Sequence, residues 1–144
     1  MPILRTIHVF GAIFLLGGVS AHALLRPMVA QAAEGAQKAF YDFAWRVQLS
    51  MVYTGSGLVL ITGVLLWFGG HFKLLTGWLL LGLLLYIAAM GLDGAFLSPN
   101  LRRARTALAE SAAPQTADAA ATTIQLVAWF LLVVVVFLMV DRPF

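Results

Sequence analysis

The sequence predicts an all-α protein: an antiparallel four-helix transmembrane bundle that forms a single domain over residues 1–144. The chain is 62% hydrophobic and only 10% charged, whereas soluble domains are roughly 25% charged. It also contains four apolar runs close to the roughly 20 residues that cross a bilayer. In lipid, a helix is the only open-ended structure that pairs every backbone amide within its own segment, so each run is predicted to be helical.

The first predicted span covers about residues 5–28 and the second about 47–69. Between them, Ala30–Arg46 is polar and rich in helix-forming residues, which predicts that one or both helices extend beyond the membrane. A tight hairpin at residues 69–73 follows the second span. The two spans therefore run antiparallel.

The third predicted span covers about residues 74–97, and Pro99 is expected to end it. A short surface helix is predicted over Leu101–Glu110 before Pro114 breaks the chain again. An Ala-rich linker then leads to the fourth span, about residues 119–140.

Lysine and arginine are distributed unequally between the two sides of this bundle. The side with both termini carries three of them and the other side six. Because the positively charged side faces the cytoplasm, both termini are predicted to lie outside. The predicted location is a bacterial inner (cytoplasmic) membrane, which the chain crosses several times.

The composition excludes several kinds of site. Without cysteine the chain has no disulfide, iron–sulfur cluster or thiolate metal site. The net charge of +3 is small, so the chain is predicted not to bind nucleic acid. It contains no phosphate-binding loop, zinc motif or Ser/His/Asp set, and therefore no catalytic residue is predicted.

Two of the three histidines lie in the first span, RTIHVFGAIFLLGGVSAHALLR. His8 and His22 are fourteen residues apart, which places them about 40° apart around a helix and roughly 21 Å apart along it. Gly11 and Gly18 fall between them on the same face. Imidazole is a natural ligand of haem iron, and a flat macrocycle needs glycine-sized gaps beside a helix. This face therefore predicts bound haem b, although small residues also line ordinary contacts between membrane helices.

The start of the chain, LRTIHVFGAIFLLGG, and the third helix with its exit, GWLLLGLLLYIAAMGLDGAFLSPNLRRARTAL, carry a resemblance. They resemble small four-helix bacterial membrane proteins: the CopD-like copper-resistance domains, the HemJ-type protoporphyrinogen oxidases and, most closely, a related uncharacterised family of predicted integral membrane proteins. The resemblance implies that His8 corresponds to a first-helix histidine implicated in haem binding. The HemJ group also has a lysine inside the third helix, which is missing from Trp78–Tyr86 here, so oxidase activity is not implied.

A second iron or metal ligand has few candidates. His71, in the hairpin, lies on the same predicted side as His8, so His8 and His71 can share one haem or a metal ion. His22 has no histidine partner on its side, and Met51 and Met90 are the weak axial ligands available to it. For both methionines the alternative is packing in an apolar core. His71 is alternatively a solvated loop residue.

Asp93 lies near the end of the third span, at the predicted depth of His22 and Arg26. Ionisable groups at such a depth face a partner or water because their charge is costly in lipid. One interpretation is a contact with His22 that orients the imidazole or relays a proton. The other is an ion pair with Arg26 or Arg102. Asp93 and Arg26 are therefore predicted neighbours of the cofactor.

The sequence thus predicts a haem-binding membrane protein of electron-transfer or haem-handling type, with the bilayer as its surroundings. Two alternatives belong to other classes. One is a non-catalytic accessory subunit that packs against other membrane-protein subunits, or a homodimer. The other is a membrane protein that handles copper or a small solute.

Overall fold

A computed structural model describes residues 2–29, 31–70, 77–111 and 118–141. Within these ranges every long element is helical, and four continuous helical stretches are long and apolar enough to cross a membrane. The elements in chain order are α1 (Pro2–Val29), α2 (Glu34–Val47), π1 (Gln48–Tyr53), α3 (Thr54–Gly70), α4 (Gly77–Leu92), π2 (Asp93–Leu97), α5 (Ser98–Ser111) and α6 (Ala119–Asp141). The predicted all-α bundle is confirmed. The hairpin with His71 lies outside the described residues.

The second and third spans continue well beyond the membrane as unbroken helices. α2, π1 and α3 follow one another without a gap, as do α4, π2 and α5. α2 and α5 pack against each other. Arg105 joins them by a 2.6 Å bond from Nε to Asp42 Oδ1, and its guanidinium lies 6.0 Å from the centre of the Trp45 ring.

Pro99 does not end the third helix, contrary to the prediction. The helix continues through it, and Pro99 occupies the first turn of α5. Proline has no amide hydrogen and its ring disturbs the preceding turn. Here the preceding turn is π2, a π-helical segment whose i→i+5 bonding differs from that of an α-helix. A proline at the start of a helix is tolerated, so the chain needs no break.

The bundle core takes at least one side chain from each span. The buried core residues are Leu15, Val19, Val52, Tyr86, Ala89 and Leu132. α1 packs against both α3 and α6, and α6 also packs against α4. Hydrogen bonds between spans add to this packing: Trp129 Nε1 donates to Ser20 Oγ at 2.8 Å, and the Tyr86 hydroxyl donates to the Ser56 carbonyl at 3.0 Å.

α1 and α3 approach each other most closely at Gly55. A Cβ atom there would lie 2.5 Å from the backbone nitrogen of Leu15 and 2.8 Å from the carbonyl oxygen of Gly11. Small residues allow such backbone contact in membranes, where van der Waals packing replaces the hydrophobic effect between helices.

We therefore expect Gly55→Ala to lower the free energy of unfolding by about 1–3 kcal/mol, because the added methyl group forces the two backbones apart. Gly57→Ala is the matched control, since a Cβ at Gly57 meets no atom within 4 Å. Thermal unfolding of both variants in the same detergent measures the difference. Equal unfolding temperatures would contradict this account of the α1–α3 contact.

Candidate functional site

Polar side chains cluster at one end of the bundle, which we call the polar end. It comprises the last turns of α1, the segments π1 and π2, and the first turns of α5 and α6. Four of them form what we call the polar centre, namely His22, Gln48, Asp93 and Ser98. All four are buried, with exposed fractions of 4%, 2%, 5% and 8%. Such burial is costly unless each group is hydrogen-bonded, so their contacts decide what this region can do.

Gln48 links the second and third spans within the polar centre. Its Nε2 donates to Asp93 Oδ2 at 2.7 Å and to Ser98 Oγ at 3.0 Å. Ser98 Oγ in turn donates to Asp93 Oδ2 at 3.1 Å. One carboxylate oxygen therefore accepts two hydrogen bonds from neutral donors. The Tyr53 hydroxyl donates to Ser98 Oγ at 2.9 Å and extends the network toward the bundle surface.

Each π-helical segment begins at one residue of the hydrogen bond between Gln48 and Asp93. Gln48 is the first residue of π1 and Asp93 is the first residue of π2. π-helical turns are rare, and they occur frequently at functional sites. Both segments lie where a membrane helix passes into its extension, so the polar centre sits at the junction of the bundle with the α2–α5 pair.

The His22 ring lies beside the Gln48 side chain. Both amide hydrogens of Gln48 serve Asp93 and Ser98. His22 Nε2 is buried and has no hydrogen-bond partner among the described residues.

No direct hydrogen bond between His22 and Asp93 is found among the described residues, and the Gln48 side chain lies beside both. The alternative of an ion pair between Asp93 and Arg26 or Arg102 is not found. Among the described residues the salt bridge is Arg105–Asp42. Arg26 instead donates from Nε to Gln125 Oε1 at 3.3 Å.

His8 lies half-buried at the opposite end of α1. Its Nδ1 is 2.8 Å from Thr62 Oγ1 on α3. The single hydroxyl hydrogen of Thr62 is donated to the Leu58 carbonyl, so His8 Nδ1–H is the donor in this pair.

The glycine face between the two histidines packs against the second span, at α3 beside Gly11 and at π1 beside Gly18, rather than lining a gap. A Cβ at Gly11 would lie 2.9 Å from Leu58 Cβ, and one at Gly18 would lie 2.8 Å from Val52 Cγ2. A macrocycle does not fit along this face unless α3 moves away. Gly11 and Gly18, which the haem prediction placed beside the macrocycle, therefore contact a neighbouring helix, as the packing alternative predicts.

Of the remaining predicted ligands, His71 lies outside the described residues and the two methionines take part in helix packing. Met90 is partly buried and packs against the bundle core, while Met51 lies against Gly17 and Gly18 of α1. In the parts of the chain that the structure describes, no three His, Asp or Glu side chains lie close enough to hold a metal ion.

Three polar residues at this end were not among the predicted site residues: Gln48, Ser98 and Gln125. Gln125 lies inside the most apolar span and is 2% exposed. An amide in such a run is costly to bury without a partner, and this signal was visible in the sequence. Gln48 and Ser98 stand at the ends of apolar runs, where the sequence does not distinguish a buried amide or hydroxyl from a solvated one.

Comparison with known proteins agrees with this architecture. No curated protein and no solved structure matches the chain. One family model matches it, over residues 2–143, with the description "Predicted integral membrane protein (DUF2269)". The match covers nearly the whole chain, including all four spans and the polar end, and the protein therefore belongs to the DUF2269 family of predicted integral membrane proteins.

Proposed function

We propose that this is a proton-coupled membrane protein in which Asp93 takes up and releases a proton inside the polar end. The supporting observation is the surroundings of this carboxylate: it is buried in the third span, its two hydrogen-bond donors are neutral, and no described cation lies within 4.0 Å. Burial opposes the charged form, whereas the two donors stabilise it. These opposed effects keep both protonation states accessible.

A chain of hydroxyl groups leads from the bundle surface to this carboxylate. Tyr53 is 42% exposed, its hydroxyl donates to Ser98, and Ser98 donates to Asp93. During uptake a proton joins the Tyr53 oxygen, the Tyr53 proton passes to Ser98, and the Ser98 proton passes to Asp93. Each hydroxyl group gains one proton and loses one, so both are neutral again after the transfer.

His22 gives the centre a second proton acceptor. Its Nε2 is buried without a hydrogen-bond partner among the described residues, and its ring lies beside Gln48, which donates to the same carboxylate. A change of charge on Asp93 therefore alters the hydrogen bonds of the amide that neighbours the imidazole. We infer that the His22–Gln48–Asp93 chain transmits the protonation state of Asp93 to the interior of α1.

Infrared spectroscopy tests this proposal directly. We expect the purified protein to show a carboxylic-acid C=O band that disappears as pH rises and that is missing from Asp93→Asn. Asp118→Asn is the matched control, because Asp118 is exposed and its removal should leave the band in place. A spectrum of Asp93→Asn that equals the wild type at every pH would contradict proton exchange at Asp93.

A second candidate function is haem binding for electron transfer or haem handling, as predicted from the sequence. One observation favours it: Thr62 of the second span holds His8 Nδ1–H, and His22 Nε2 is buried with no hydrogen-bond partner among the described residues. A hydrogen-bonded partner on the other ring nitrogen is typical of metal-ligating histidines. The packing of Gly11 and Gly18 opposes a haem between them, so this function requires α3 to separate from α1.

An absorption spectrum decides this second candidate. If the protein binds b-type haem, preparations made with haem supplied should show a Soret band, and His8→Ala should lose it. His22→Ala and His71→Ala then report whether either residue supplies another ligand. A wild-type protein that stays colourless under these conditions would rule the function out.

Orientation and location also stay predictions. On the lysine and arginine counts, the polar end with Tyr53 is predicted to face the cytoplasm of a bacterial cell. We expect alkaline phosphatase fused after Phe144 to be active and a fluorescent protein fused there to stay dark, because only the former matures outside. The reverse result would place the proton entry on the outer side.

Roles as an accessory subunit, in a homodimer or in copper or solute handling stay predictions of the sequence.

A further inference from the structure

The guanidinium of Arg26 lies in the last turn of α1 and is held by two neutral amides. Nε donates to Gln125 Oε1 at 3.3 Å, and Nη1 donates to Asn100 Oδ1 at 3.1 Å. Each amide is fixed by a second bond, from Gln125 Nε2 to the Val19 carbonyl at 3.3 Å and from Asn100 Nδ2 to Asp118 Oδ2 at 2.9 Å. The direction of the guanidinium is therefore set by α5 and α6, and no carboxylate in the described part of the chain contacts it directly.

The positive charge of Arg26 has no contacting anion among the described residues. The salt bridge they contain joins Arg105 to Asp42. A guanidinium carries five N–H donors, and the two amide bonds occupy two of them. The other donors, together with the full charge, remain for a further partner. A charged group in partial burial without a counter-ion is costly, so an external anion would be stabilised here.

Ionisable neighbours of Arg26 come from four parts of the chain, namely His22, Tyr41, Asp93 and Asp118. Both carboxylates among them are engaged elsewhere. Asp118 caps α6, since its Oδ1 accepts the Ala121 amide at 3.1 Å, and its exposure to water screens its charge. Asp93 accepts its two bonds inside the polar centre. The Tyr41 side chain adds a phenol from α2 to the same neighbourhood.

The position of Arg26 along the helix indicates the kind of anion. α1 has 28 residues, which is roughly 42 Å of helix, against about 30 Å of hydrocarbon in a bilayer. Its last turn therefore reaches the level of the phospholipid headgroups. Phosphate oxygens are concentrated at that level, and dissolved phosphate reaches it from the aqueous side.

We infer that Arg26 is the centre of a binding site for a phosphate-type oxyanion at the polar end. The planar fork of a guanidinium matches two oxygens of such a group, and these charge-assisted bonds are stronger than neutral ones. Because the two amides already hold the fork, little side-chain freedom is lost when the anion binds. This site does not depend on proton exchange at Asp93, and the two proposals can fail separately.

The test uses the full-length protein with two probes. The first is inorganic phosphate added to protein in an uncharged detergent, with sodium chloride at equal ionic strength as reference. The second is a phosphatidylcholine nanodisc with or without phosphatidylglycerol. Ligand-dependent thermal unfolding gives an apparent affinity for each probe. We expect Arg26→Gln to weaken binding about tenfold or more, and Arg103→Gln, which removes an exposed charge from α5, to leave it unchanged.

Each outcome decides the inference. Stabilisation by dissolved phosphate identifies a free anion as the ligand, and stabilisation only by phosphatidylglycerol identifies a lipid headgroup; both support the site. Equal losses in Arg26→Gln and Arg103→Gln, or no response of the wild type to either probe, would overturn it. If Arg26→Gln does not fold, Asn100→Ala replaces it, because that variant keeps the charge and frees one side of the fork. Unchanged phosphate affinity in Asn100→Ala would then overturn the site.

Discussion

Gln48 makes the interaction on which the organisation of the polar end depends. Its side chain donates to Asp93 and Ser98, both on the unbroken helix of the third span, and lies beside His22 of the first span. No other side chain of the described polar centre neighbours all the rest. In lipid an unpaired amide or carboxylate costs several kcal/mol, so losing this residue would remove a hydrogen-bond partner from two buried groups at once. The register between the second and third spans follows from this link.

The bundle itself was readable from the sequence because membrane helices depend on composition and length. Apolar runs of about 20 residues identify four spans without any knowledge of packing. The prediction at Pro99 was wrong, because a proline predicts a break only where the preceding turn is α-helical. The sequence carries no rule for the π-helical turn at Asp93 that lets the helix continue, because that turn depends on the contacts of Asp93 with Gln48 and Ser98.

Three of the predicted site residues lie together at the polar end, but the sequence did not predict the side chains that surround them. The rise of a helix and the order of the spans were enough to predict one depth for His22, Arg26 and Asp93. In the structure all three lie at the polar end. Which face of α1 meets α3 depends on the mutual fit of Gly11, Gly18 and Gly55. A glycine pattern looks the same whether it receives a cofactor or a neighbouring helix, and only the position of the second span distinguishes them.

Both proposals concern a charged side chain that is held by neutral partners: a carboxylate in the first proposal and a guanidinium in the second. Arg26 is a cation at the polar end, held by amides, and Asp93 is a buried carboxylate in the same region, also held by neutral donors. The structure keeps them from neutralising each other by direct contact, because Gln125 and Asn100 turn the guanidinium away while Gln48 and Ser98 hold the carboxylate. A proton on Asp93 removes the negative charge and leaves Arg26 as the uncompensated one. An anion would then bind Arg26 more tightly when Asp93 is protonated, since charges at this depth are weakly screened.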